Sequence, residues 1–216
     1  MKKLLIIALL PTYIFAHYQD SSIEGIIKSL KEGNQRFIEG KLESYDFKAQ
    51  MQANKEKQSP ESVVLSCMDS RGIPELTFNQ GIGHLFVLRV AGNIINNDIL
   101  GSLEYATKVI GSKVILVMGH TNCGAVKGAC EKVDIGHIGP LVNKISEAVQ
   151  QAKALNPKGA CDDPKFIDEI ARLNVLNVVK QIEDKSFIIR NLIKSQKVKI
   201  IGTMYDIATG KVELVK

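Results

Sequence analysis

The chain has 216 residues, 45% of them hydrophobic and 24% charged, with 17 Gly and 6 Pro, a balance that excludes collagen, coiled coil and disorder. Four Cys are too few for a disulfide-stapled miniprotein, and a chain of this length buries a large core as one domain. The net charge of +5 is scattered among acidic residues, so no nucleic-acid-binding stripe is indicated.

Met1-Lys2-Lys3 is a basic start, Leu4 to Leu10 is an uncharged apolar run, and Ile14-Phe15-Ala16 ends on a small residue before His17-Tyr18-Gln19-Asp20. This is the layout of a secretory signal peptide over residues 1–16, with an apolar run too short for a membrane span. An N-terminal helix packed on the domain and an uncleaved anchor are the alternatives. Cleavage after Ala16 leaves a single domain over residues 17–216 and, in a bacterial host, a periplasmic protein.

Ser21-Ser22-Ile23-Glu24 predicts a capping box with Ser21 at the N-cap. Ile23, Ile26, Ile27 and Leu30 fall on one face of the helix that follows. Residues 48–60 read as a helix and a loop. The segments 63–67, 85–90, 113–118 and 199–203 are short and nearly all apolar, which is how strands buried on both faces read. Helices are predicted over 97–110, ended by Gly111-Ser112, and over 125–132, 138–154 and 164–195, the last containing more than one. Residues 211–215 alternate as an edge strand does. The predicted architecture is α/β: a mostly parallel central sheet of four strands plus a C-terminal edge strand, flanked by helices.

Chemistry gathers at two strand ends. Cys67 closes the first strand inside Cys67-Met68-Asp69-Ser70-Arg71, and His120 and Cys123 follow the third inside Gly119-His120-Thr121-Asn122-Cys123-Gly124. Ligands of open α/β sheets gather beyond such carboxyl ends. Two thiolates and an imidazole suit Zn²⁺, and three protein donors leave a fourth position for water. Cys123 also precedes a predicted helix, whose N-terminus favours a thiolate. Taken singly, each residue reads more readily as core or loop; together, with Asp69 and Arg71 at fixed offsets from Cys67, they read as a site. A redox pair fails on spacing, because no Cys-x-x-Cys is present. Cys130 reads as buried filler on a helix; in an oxidising compartment it can pair with Cys161, which spacing alone does not decide.

Cys-x-Asp-x-Arg followed by a distant His-x-x-Cys resembles the β-class carbonic anhydrases. The likeness runs through Leu30-Lys31-Glu32-Gly33-Asn34-Gln35-Arg36-Phe37, Pro74-Glu75-Leu76, Phe86 to Asn93, Glu104-Tyr105-Ala106, Gly119 to Val126 and Tyr205 to Gly210. It implies one Zn²⁺ per subunit on Cys67, His120 and Cys123, and reversible hydration of carbon dioxide to bicarbonate and a proton by a zinc-bound hydroxide. Asp69 and Arg71 are then the catalytic dyad: Asp69 accepts the hydroxide proton, and Arg71 holds the carboxylate bidentately and ionised. Freed from Arg71, Asp69 can become a fourth ligand in a closed state. Two thiolates leave the water less acidic than an all-histidine site would, so activity is expected to rise towards alkaline pH.

The resemblance further places Gln58, Phe86, Tyr105 and Gly124 around the substrate, with Gln58 pointing to the subgroup whose metal site is open. It implies a homodimer or homotetramer whose N-terminal helices embrace the neighbour, with Gln58 and Tyr105 serving a site shared between protomers. Expected partners are the small-molecule substrate and further copies of the chain, with no nucleic acid and no stable membrane insertion after cleavage. Two departures stand out: Met68 between Cys67 and Asp69, and His84 before Leu85-Phe86. A His titrates near neutrality and His84 can relay protons, although a lone His is more often structural. Other readings are a non-catalytic zinc-binding module and a hydrolase of carbonyl sulfide or carbon disulfide; the intact dyad favours an enzyme.

Overall fold

The runs of Val, Ile and Leu form the strands expected of them. The computed structural model describes residues 20–215; the expected signal peptide lies outside these. Strands β1 (Ser62–Ser66), β2 (Leu85–Arg89), β3 (Val114–His120), β4 (Lys199–Tyr205) and β5 (Val212–Leu214) make one sheet in the order β2-β1-β3-β4-β5. All pairs are parallel except β4 with β5; the C-terminal strand lies at the sheet edge as its alternation suggested and runs antiparallel to β4. Every residue of β1 and β3 is buried. Side chains alternate across a strand, so Val63, Leu65, Ile115 and Val117 enter the larger core on one face, and Val64, Val114, Leu116 and Met118 a smaller core on the other.

Helices cover both faces. The smaller core is closed by α1 (Ile23–Ile38) through Ile26 and Leu30, and by Phe78 just after α3 (Pro74–Thr77). The cap of α1 lies one residue later than expected: Ser22 is the N-cap and its hydroxyl accepts from Gly25 N, while Asp20 accepts from Ser22 N. The shift follows from Asp20, a stronger acceptor that takes the preceding amide. Asn34 is buried on α1, donating to Thr77 O and Gly210 O and accepting from Val212 N, which ties the helix to β5 and α3. Helix α2 (Phe47–Asn54) buries no side chain.

The larger core is covered by α4 (Asn97–Glu104), α5 (Gly124–Cys130), α6 (Ile138–Val142), α7 (Ser146–Leu155), α8 (Pro164–Lys185) and α9 (Phe187–Lys194). Two predicted helices are corrected. The 97–110 helix continues from α4 as a π-helical segment, Tyr105–Ile110, in which Gly111 N reaches Ala106 O at 3.1 Å; Gly111 then stops it at φ 97°, where glycine meets no Cβ penalty. The 138–154 helix is divided by a 3₁₀ turn at Asn143–Ile145, which lets Val142, Ile145 and Ala148 all face the core. The 164–195 segment is two helices, α8 and α9, separated at Ser186, which caps α9 by accepting from Ile189 N.

Cys130 is more than filler. It bonds to Cys161 with a Cα–Cα separation of 5.7 Å, joining the end of α5 to the chain entering α8. Among the described residues no helix is long and apolar enough to cross a membrane.

Candidate metal centre

The sheet decides where the donors meet. Strand β1 ends at Ser66, so Cys67 is the first residue beyond it rather than its last, and β3 runs on to end at His120 itself. Ser66 is level with Met118 on the parallel neighbour, so both donors leave at the same end of the sheet. From β1 the chain crosses to β2 on one side, and from β3 to β4 on the other. The gap between β1 and β3 is therefore the topological switch point, where open α/β sheets form a ligand crevice. Cys123 returns to this crevice as the N-cap of α5. The two Sγ atoms and a ring nitrogen of His120 all lie within 4.8 Å of one another, and all three residues are buried.

The chemistry of this cluster fits a zinc ion. His120 Nδ1 lies 2.9 Å from Thr121 O; a carbonyl only accepts, so Nδ1 carries the proton and Nε2 offers its lone pair towards the sulfurs. That Nε2 is buried without any hydrogen-bond partner, a costly state unless a Lewis acid takes the lone pair. Two sulfurs and an imidazole are donors that zinc prefers, and three protein ligands are the number of a catalytic site. The Cys67 thiol is pulled down, first by its hydrogen bond with Cys123, and Cys67 Sγ also accepts from Gly92 N at 3.3 Å. Cys123 is pushed up by the same bond and by burial, against the amides of α5 that favour its thiolate. Burial opposes charge on His120, but Cys67, the Thr121 carbonyl and Asp69 together outweigh it and the ring is shifted up. A divalent cation at the centre reverses this balance, because it favours both thiolates.

Asp69 and Arg71 stand at the mouth. Arg71 Nε donates to Asp69 Oδ1 at 2.9 Å and Nη2 to Oδ2 at 2.7 Å, the fork geometry expected of the pair. Arg71 N also donates to Oδ1 at 3.0 Å. The guanidinium beside Asp69 holds its carboxyl well below the usual carboxylate range, against partial burial. Oδ2 is 3.9 Å from His120 Nε2, so the carboxylate borders the cluster while remaining outside the three-donor group.

The other expected site residues are placed apart. Gly124 follows Cys123, and open space surrounds the position a Cβ would take, leaving the metal side of α5 accessible. Phe86 and Tyr105 meet in a cleft of about 550 Å³ with Val63, Leu88 and Ala106. Within one chain that cleft does not include the metal donors. Gln58 lies exposed on the loop before β1. His84 is exposed just before β2, whose first residue pairs with Ser62 at the start of β1. It is therefore a full strand length from the cluster, on the order of 15 Å, and no proton relay from His84 reaches the site within one chain.

Three supporting residues escaped the motif reading. Arg89 donates from Nη2 to Asp69 O at 2.6 Å and from Nε to Cys67 O at 3.3 Å, bracing the loop after β1. Gly92, at φ 68°, gives its amide to Cys67; an added Cβ would sit 2.6 Å from Ile145 Cδ1, so only glycine fits. Buried Asn174 on α8 donates to Gly92 O at 2.9 Å. Arg89 and Gly92 lie in the Phe86–Asn93 stretch singled out above, which was the available signal; Asn174 carried none.

The carbonic anhydrase family model matches residues 62–212. The chain belongs to the carbonic anhydrase family. It is 36% identical over 189 residues to a carbonic anhydrase of Mycolicibacterium smegmatis, covering 87% of this chain and 90% of that one. It is 35% identical over 192 residues to carbonic anhydrase 2 of Mycobacterium tuberculosis (strain H37Rv), with the same two coverages. Among solved structures, the β-carbonic anhydrase CcaA superposes with a TM-score of 0.72 at 26% identity, over 88% of this chain and 95% of that one. The β class read from the paired motifs is thus supported by fold and by sequence, and this carbonic anhydrase has the mostly parallel sheet expected of it.

Proposed function

We propose that this carbonic anhydrase converts carbon dioxide and water reversibly to bicarbonate and a proton at a centre holding one zinc ion per chain on Cys67, His120 and Cys123. The observation that carries the reading is the unpartnered Nε2 of His120, buried between two sulfurs and beside a carboxylate held by Arg71. Bound there, zinc supplies Lewis acidity that brings the ionisation of water towards neutral pH, chemistry for which the three-histidine carbonic anhydrases are the standard example.

The chain's own residues do the rest. Ionised Asp69 accepts a hydrogen bond from the attacking oxygen and so sets the direction of its lone pair. Arg71 keeps that carboxylate ionised and held at the border of the donor group, because both its oxygens are engaged by the guanidinium. Gly124 leaves room for a small substrate. Carbonyl sulfide is the close competitor on such a site. Stopped-flow carbon dioxide hydration compared with sulfide release from carbonyl sulfide, on one zinc-loaded sample, is expected to favour hydration by orders of magnitude; faster sulfide release contradicts the assignment.

The enzyme acts as a homodimer or homotetramer. Phe47 and Met51 of α2 are more than half exposed, Tyr105 is 48% exposed, and β2 is an uncovered parallel edge. Tyr105 lines the cleft with Phe86 and Leu88 of β2, and a neighbour packed on these exposed surfaces brings Gln58 and Tyr105 into a site shared between protomers. Export to the periplasm after cleavage behind Ala16 is supported by the Cys130–Cys161 bond, since disulfides persist in oxidising compartments and are rare in the cytosol. Mass spectrometry of the mature protein is expected to find a chain beginning at His17 with a linked Cys130–Cys161 peptide. A cytoplasmic chain beginning at Met1 contradicts export.

A further inference from the structure

The His120–Cys123 turn carries two of the three donors, and its conformation decides whether they meet. Each residue of the turn is held by a different part of the fold. Thr121 N donates to Tyr205 O at 3.0 Å, and Thr121 Oγ1 accepts from Ile207 N at 3.1 Å. Cys123 is fixed as the N-cap of α5. Between them Asn122 has φ 53°, a left-handed conformation uncommon for a residue with a side chain but one that Asn tolerates better than most.

Two contacts hold it in place. Asn122 N donates to Asp168 Oδ1 at 2.8 Å, and Asn122 O accepts from Arg71 Nη2 at 3.5 Å. They grip the peptides on either side of one Cα, so together they fix its φ and ψ. The Arg71 contact is long, and the same nitrogen also serves Asp69. The Asp168 contact is short and charge-assisted, and among the described residues Asp168 makes no other side-chain hydrogen bond or ion pair. Its presenter is rigid. Asp168 sits in the second turn of α8, whose start is capped by Asp163 accepting from Lys165 N at 2.9 Å. The Cys130–Cys161 bond then joins the chain entering α8 to the end of α5, the helix that Cys123 opens.

We propose that Asp168 is a positioning residue of the metal centre. By accepting the Asn122 amide it holds the left-handed turn that sets His120 Nε2 and Cys123 Sγ against Cys67. It touches neither metal nor substrate and acts through the backbone alone. This rests on the assignment of the three donors to zinc. Partners that orient metal ligands are commonly worth about 10- to 100-fold in metal affinity.

The test compares zinc-loaded wild type with Asp168→Ala and with Asp168→Asn, which keeps an acceptor oxygen. Zinc release to a chromophoric chelator is followed, with the thiolate-to-cobalt charge-transfer band of the cobalt-substituted proteins as a readout of donor geometry. Asp168→Ala is expected to release zinc about ten times faster with a shifted band, and Asp168→Asn to stay close to wild type. Wild-type release and an unchanged band in Asp168→Ala overturn the proposal, as does an Asp168→Asn as leaky as the alanine variant. Hydrogen exchange in the unmodified protein needs no variant: the Asn122 amide is expected to be slow, and free exchange there overturns the proposal. A wild type that takes up no zinc is a different result and removes the assignment of the donors as well.

Discussion

Asp69→Ala is expected to lower kcat/KM for carbon dioxide hydration by about 100-fold or more while leaving one zinc per chain. The two halves of that expectation come from one geometry. The carboxylate lies outside the three-donor group, so its loss leaves the zinc ligands intact. It is also the ionised acceptor nearest the cluster, 3.9 Å from His120 Nε2, so its loss removes the group that directs the attacking oxygen. The Arg71 side chain left without its partner is half exposed and is satisfied by water, so the fold is not at risk. Asp69→Asn has the same expectation, because an amide is neutral and cannot pair with the guanidinium as a carboxylate does. Stopped-flow hydration and zinc content on each variant check this. Near-normal turnover in Asp69→Ala takes Asp69 out of the reaction.

The strands and the residues of the Cys67–His120–Cys123 cluster were legible in the sequence because each has a local signature. Strands β1 and β3 are continuous runs of buried apolar residues, and Cys67, Asp69, Arg71, His120 and Cys123 sit at fixed offsets within two short motifs. What could not be read has no local signature. The Tyr105–Ile110 π-helical segment buries Ala106 on the side where α4 buries Leu103, as a continued α-helix would, so apolar spacing does not distinguish the two. The Asn143–Ile145 turn contains neither Gly nor Pro to announce it. Ser21 and Ser22 are equally good caps, and Asp20 decides between them only through its hydrogen bond to the Ser22 amide. The Cys130–Cys161 bond depends on α5 and the chain before α8 being neighbours, which is a property of the packed fold. The same holds for Asn174 and Asp168, whose partners are 82 and 46 positions away along the chain. The separation of Phe86 and Tyr105 from the Cys67–His120–Cys123 cluster within one chain was equally invisible, because nothing local to either residue sets its distance from the cluster.

Cys123→Ser is expected to abolish zinc binding and reduce hydration to the uncatalysed rate. A serine hydroxyl does not ionise in the range where a thiolate forms, and two remaining donors do not hold zinc in a tetrahedral site. The prediction is sharper than for an ordinary buried cysteine. A structural Cys123, 2% exposed in the core, would tolerate serine with a modest loss of stability and no loss of metal. In the wild type, acidification acts in the same direction as the mutation, because protons compete with zinc for both sulfurs and for Nε2.

The most direct measurement returns zinc stepwise to metal-stripped wild-type protein and records stopped-flow carbon dioxide hydration at each addition, with bound metal determined on the same samples. Activity is predicted to start at background, rise in proportion to bound zinc and level off at one ion per chain. Full activity in the stripped protein, or zinc bound at one per chain without any gain in hydration, would contradict the account.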